Sequence, residues 1–161
     1  MSVLIVIVND YDITSQQANI KHAVAYASKF NRTRVRVDWF LSGAPRVKSL
    51  ISEAQQMSEA ISNVSESCIL INKHNWHYIH DNRSVNIKDN FARLNEWLEF
   101  NQSYQEIQVV TSKNYLASRI AETVFPGNNF KWIYSDLIEL DDAEVSMKAV
   151  DEKRQRVANM V

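Results

Sequence analysis

Glycine is nearly missing from this chain: two residues in 161, where about 7% is usual. Gly43 and Gly127 lie too far apart to share a Walker phosphate loop or a three-glycine dinucleotide fingerprint, and no Gly-x-Ser-x-Gly nucleophile elbow occurs. ATPases, dehydrogenases and serine hydrolases that depend on those motifs are excluded. Cysteine is scarcer still. Cys68 stands alone, so there is no internal disulfide and no Cys-based zinc site, and its solitude suits a reducing compartment. Long apolar runs are also lacking. The longest, Val3 to Val8, is too short for a bilayer span or a signal-peptide core, so the expectation is a cytoplasmic protein with no membrane partner. Eighteen Lys and Arg against nineteen Asp and Glu leave a net charge of -1. No global field recruits nucleic acid.

What is present fits one folded domain over residues 1–161, with 45% hydrophobic and 23% charged residues. Val3 to Val8 is continuous and β-branched, which predicts a strand buried on both faces. Ile20, Ala23, Val24, Ala27 and Phe30 keep helical spacing over 14–30. Arg34 to Leu41 alternates, predicting a second strand nearer an edge with one face less buried. Pro45 to Asn63 reads as a helix with Leu50, Ile51, Ala54, Met57 and Ile61 on its stripe. Short strands are expected at 68–71, 107–110 and 130–134, and helices at 87–100 and 115–125, the latter ended by Pro126-Gly127. A charged terminal helix is expected over about 141–160, acidic early and basic late. Its thin stripe of Val145, Met147, Val150, Val157, Met160 and Val161 would either pack on the sheet or pair with a second copy, and a homodimer is the expectation. This alternation predicts a three-layer α/β domain with a five-stranded, mainly parallel sheet and helices on both faces.

Polar residues follow every expected strand: Asn9-Asp10, Ser42-Gly43, Asn72-Lys73, Thr111-Ser112 and Ser135-Asp136. In open α/β sheets, ligands bind beyond the carboxyl ends of the strands, where helix amino-termini present free N–H groups. Taken singly, each pair is a turn former or helix cap. Together they direct attention to that edge.

The order and spacing of several short motifs carry a resemblance. They are Leu41-Ser-Gly-Ala44, then Ser52-Glu-Ala54 with Met57, then Ser84-Val-Asn-Ile-Lys-Asp-Asn90, then Val110-Thr-Ser-Lys-Asn-Tyr-Leu-Ala-Ser-Arg119. The pattern resembles the YdcF-like family, also called domain of unknown function 218, over roughly residues 3 to 135. The resemblance implies a Rossmann-like fold and a small nucleotide-like or phosphorylated ligand, with S-adenosylmethionine as the associated cofactor. It carries over Ser42, Gly43, Glu53, Ser84, Asn86, Asp89, Asn90, Thr111, Ser112 and Arg119. The departures are equally definite. The family glycine after the first strand is here Asn9 or Asp10, its second Ser-Gly-Gly glycine is Ala44, and its histidine falls on Leu116 or Tyr115. A proton carrier that titrates near neutrality is thereby lost.

The expected function is therefore binding of such a ligand by Asn9, Asp10, Ser42, Gly43, Ser84, Asn86, Asn90, Thr111, Ser112 and Arg119. Two alternatives stand beside it. One is a hydrolase or transferase acting on a phosphorylated or glycan-linked substrate, with Asp10 or Asp89 as base and Arg119 or Lys113 stabilising an anion. The other is a protein-interaction module on a degenerate enzyme-like fold. The segment from His74 to Asn86 has no clear period and is expected to be a lid or pocket wall, with Trp76 and His77 facing the ligand, or a small hairpin turning at Asp81-Asn82. His74, His77 and His80 would share a face only on a helix, so a metal site is ranked below a structural or ligand-contacting segment.

Overall fold

The computed structural model describes residues 1–9, 13–46, 49–66, 75–101, 103–112 and 115–135. Its elements run β1 (Ser2–Val8), α1 (Ile13–Ala27) with a 3-10 turn at Ser28–Phe30, β2 (Arg36–Ser42), α2 (Glu53–Glu66), β3 (Trp76–Asp81), α3 (Ile87–Phe100), β4 (Glu106–Thr111), α4 (Tyr115–Val124) and β5 (Lys131–Tyr134). The sheet has five strands in the order β3-β2-β1-β4-β5, and every pairing is parallel. The chain adds β2 and β3 on one side of β1, then crosses back to add β4 and β5 on the other. This is a Rossmann-like α/β sheet, and its switch point lies between β1 and β4.

β1 is central, and Val3 through Val8 are buried on both faces, as a continuous apolar run requires. Val3, Ile5 and Ile7 pack with Ile20, Ala23, Val24, Met57 and Ile61 of α1 and α2. Leu4, Val6 and Val8 pack with Phe91 and Leu94 of α3 and Ala117 and Ala121 of α4. Period-two alternation thus divides one strand between two cores.

Three expectations are corrected. First, β2 lies one place in from the β3 edge, nearer an edge than β1 as expected, but neither of its faces is less buried: after exposed Arg36 every residue through Ser42 is buried. Asp38 survives burial because Arg36 lies 2.7 Å away and the Tyr104 hydroxyl donates to it at 2.6 Å. Second, the helix expected from Pro45 begins only at Glu53, and Leu50 and Ile51 are exposed rather than on an apolar stripe. Ser52 decides the start: its Oγ accepts the N–H of Gln55 at 3.1 Å, an N-cap that outweighs the apolar spacing upstream. Third, Trp76 to Asp81 is a strand, not a lid or hairpin, and it pairs in parallel with β2. An edge strand is only partly covered on each face, which explains its indistinct period. The strand expected at 68–71, the terminal helix and its stripe lie outside the described residues.

Among the described residues no helix is long and apolar enough to cross a membrane.

Candidate functional site

The carboxyl edge of the sheet holds a concentration of buried polar side chains. Asn9, Gln16, Asn19, Ser42, Ser52, Glu53, Asp81, Ser84, Asn90, Thr111 and Ser112 are all buried there, and among the described residues only Asp38 and Gln108 are buried polar side chains elsewhere. Burial of such groups is unfavourable unless each finds a partner. Two networks, one on each face, join seven of them: Asn9, Asn19 and Glu53 in one, and Ser42, Asp81, Ser84 and Asn90 in the other.

The first lies on the α1/α2 face. Ser135 Oγ donates to Asn19 Oδ1. Asn19 Nδ2 donates to Asn9 Oδ1 at 2.7 Å, and Asn9 Nδ2 donates to Glu53 Oε1 at 3.0 Å while touching Met57 Sδ at 2.9 Å. Arg46 closes the chain with Nε to Oε2 at 2.8 Å and a terminal nitrogen to Oε1 at 2.9 Å. Each amide accepts at oxygen and donates at nitrogen, so the relay runs from the end of β5 past β1 to the loop after β2. Glu53 is fully buried, and its two-point contact with Arg46 is the charge-assisted geometry that tolerates such burial.

The second lies on the α3 face. Asp81 Oδ2 accepts the hydroxyl of Ser42 at 2.5 Å and that of Ser84, and Oδ1 accepts the N–H of Arg83 at 3.1 Å. Ser42 also lies 2.9 Å from the Asn90 amide. With its one proton given to Asp81, Ser42 must accept from Asn90, so the nitrogen of that amide is assigned to face Ser42. Gly43 N–H donates to Asp81 O and Ala44 N–H to Ser84 O, both at 2.8 Å, which fastens the loop after β2 to the loop after β3.

The expected site residues divide accordingly. Asn9 belongs to the first network, and Ser42, Ser84 and Asn90 form the second. Asn86 and Asp89 cap α3: Asn86 Oδ1 accepts Asp89 N–H at 2.8 Å, and Asp89 Oδ2 accepts Val85 N–H at 3.2 Å. The carboxylate considered as a base is thus engaged in helix capping. Thr111 and Ser112 are buried at the end of β4, across the switch point from Asn9. Arg119 is exposed on α4, between the buried Ala117 and Ala121. Asp10, Lys113 and His74 lie outside the described residues.

Trp76 and His77 do not reach this edge. Trp76 is aligned with Val37 at the start of β2, and its ring packs 5.1 Å from that of Trp39 in the core. His77 and His80 point to opposite faces of β3, as a separation of three dictates in a strand. His80 Nε2 lies 2.9 Å from Ser58 Oγ, and among the described residues no three His, Cys, Asp or Glu side chains converge to hold a metal.

Sequence reasoning missed Asp81, Asn19 and Arg46. Asp81 follows the rule that polar residues end strands, and it becomes visible once 76–81 is read as β3. Asn19 is a polar residue on the inward face of an otherwise apolar helix, adjacent to Ile20, and that misfit was its signal. Arg46 carried none.

Compared with known proteins, the chain matches no family model, no curated protein and no solved structure.

Proposed function

We propose that this chain is a divergent YdcF-like domain that binds a small nucleotide-like or phosphorylated ligand, of the class that includes S-adenosylmethionine, at the carboxyl edge. The observation that carries the reading is the concentration of buried polar side chains there, flanking the switch point between Asn9 and Thr111-Ser112. Open α/β sheets take ligands in that crevice, and the first turns of α1 and α4, which follow β1 and β4, direct backbone N–H groups toward it. The lone cysteine supports a cytoplasmic setting, and the terminal apolar stripe supports a homodimer.

Binding without turnover is favoured because the two buried carboxylates of this edge are already engaged. Asp81 accepts two hydroxyls and a backbone N–H, and Glu53 accepts an amide and a guanidinium. Neither is placed as a free general base.

Native mass spectrometry of the protein with ATP, AMP, S-adenosylmethionine and inorganic phosphate tests this. The expected result is a retained, unmodified ligand whose affinity falls about tenfold or more in Thr111→Ala, Asn90→Ala and Arg119→Ala, the loss of one hydrogen bond to a charged group. A ligand whose mass changes on incubation would assign hydrolysis or transfer instead. An intact fold that retains nothing would assign the interaction module.

A further inference from the structure

β5 lies beside β4, and its last residue is Tyr134. Register places Tyr134 opposite Thr111, and Ser135 N–H donates to Thr111 O at 2.8 Å, so this strand end forms one flank of the crevice at Thr111. Its two residues divide between the faces of the sheet, as successive strand residues do. Ser135 Oγ reaches Asn19 on the α1 face. The Tyr134 hydroxyl lies 2.8 Å from Ser118 Oγ, in the first turn of α4 on the other face.

Among the described residues only two Phe, Tyr or Trp side chains are exposed, Phe100 and Tyr134. Phe100 ends α3, which runs back from the carboxyl edge, so it lies at the opposite end of the sheet. Tyr134 is 39% exposed at the carboxyl edge itself. Its ring is nonetheless held in place. Trp132, two residues earlier on the same face, lies parallel to it within 11° with centroids 6.0 Å apart, and Trp132 in turn packs against the buried Phe91 at 6.3 Å. The three rings form a row that begins in the core and runs along β5. The side of Tyr134 turned away from Trp132 looks past the end of the strand, and among the described residues no further ring meets it.

We infer that Tyr134 is the platform on which the base of a nucleotide stacks, so that the ligand of this edge is a nucleotide or adenosyl compound rather than an inorganic or sugar phosphate. This rests on the small-ligand reading above and names its ligand class. A base presents a flat π-face that an aromatic ring can cover, whereas free phosphate or a phosphorylated sugar gains nothing from such a platform. The position suits a molecule with both parts. A base on this ring lies beside the first turn of α4, whose N–H groups suit the anionic part of the same ligand.

Isothermal titration calorimetry compares AMP and S-adenosylmethionine, which carry the base, with ribose 5-phosphate and inorganic phosphate, which do not. The expected result is that AMP or S-adenosylmethionine binds about tenfold or more tightly than either base-free probe. Tyr134→Ala should remove this advantage, and Tyr134→Phe, which keeps the face and loses only the hydroxyl, should retain it. Transferred nuclear Overhauser contacts between the base protons and the Tyr134 ring are expected in the parent, and they decide the matter if Tyr134→Ala fails to fold by thermal melting. The inference is overturned, and the small-ligand reading stands, if a base-free probe binds as tightly as the base-bearing ones or if folded Tyr134→Ala binds as the parent does. Base protons that contact other residues and not Tyr134 overturn it in the same way. If the folded parent retains none of the probes, the small-ligand reading falls and this inference with it.

Discussion

Gly43 and Glu53 approach so closely that a Cβ on Gly43 would lie 2.7 Å from the Cβ of Glu53. The two residues are also joined through the backbone, since Gly43 O accepts the N–H of Ala54 at 3.2 Å. Real Cβ atoms do not tolerate such a separation, so Gly43→Ala must displace the first turn of α2 from the sheet. The expected loss is about 1–3 kcal/mol by urea denaturation. Because Glu53 holds Asn9 and Arg46, the same variant should also weaken ligand retention in the native mass spectrum. An unchanged midpoint would mean that the helix start is free to shift.

Arg46 holds a fully buried carboxylate, that of Glu53, by a two-point contact. Removing it while keeping its apolar stem, as in Arg46→Met, should cost about 3–5 kcal/mol, because Glu53 would be left charged and under-partnered. Adding Glu53→Gln should recover much of that loss. A double variant no more stable than the single would refute the electrostatic account.

Trp39 is fully buried with its indole N–H unpartnered. Trp39→Phe deletes that donor along with some volume, and the two effects oppose each other. The expected change is within about 1.5 kcal/mol, against about 3–5 kcal/mol for Trp39→Ala. Thermal melts of the two variants separate donor from volume.

Burial and the hydrogen bond to Asp38 push the Tyr104 hydroxyl up to about 12 from its ordinary 10.0. The folded state thus holds its proton more tightly than the unfolded state does. The resulting stability is complete below pH 10 and is lost as pH rises from 10 toward 12. Tyr26, raised by burial and by Glu106, acts in the same sense. Tyr104→Phe should flatten the alkaline limb of a stability–pH curve measured by urea denaturation. A limb of unchanged steepness would assign the alkaline loss to other groups.

The fold was legible where a segment's burial matched its pattern. β1 is covered on both faces and reads as unbroken apolar sequence, and α3 runs over Ile87–Phe100 as its spacing predicts. β3 was hidden because a half-covered edge strand places Trp76 inside and His77 outside without regular alternation. The start of α2 was misplaced because Leu50 and Ile51 imitate a stripe that Ser52 cuts off. Ser42, Ser84 and Asn90, singled out through short motifs, lie together in one buried network, whereas Asp81 at its centre lay within a segment read as loop. Asn19 and Arg46 act across long sequence separations, and local pattern does not encode such pairings.

The strand order imposes a schedule on synthesis. β1 sits between β2 and β4, and the ribosome must make everything through α3 before β4 exists. Until then a nascent chain can build β1, β2 and β3 with α1, α2 and α3, but one side of the most apolar strand stays open, and Leu4, Val6 and Val8 lack the part of their cover that α4 supplies. Long-range parallel pairing is slow to close, and an unpaired apolar strand invites association with other chains. The central position that protects β1 in the finished molecule therefore makes it the segment most dependent on protection during translation.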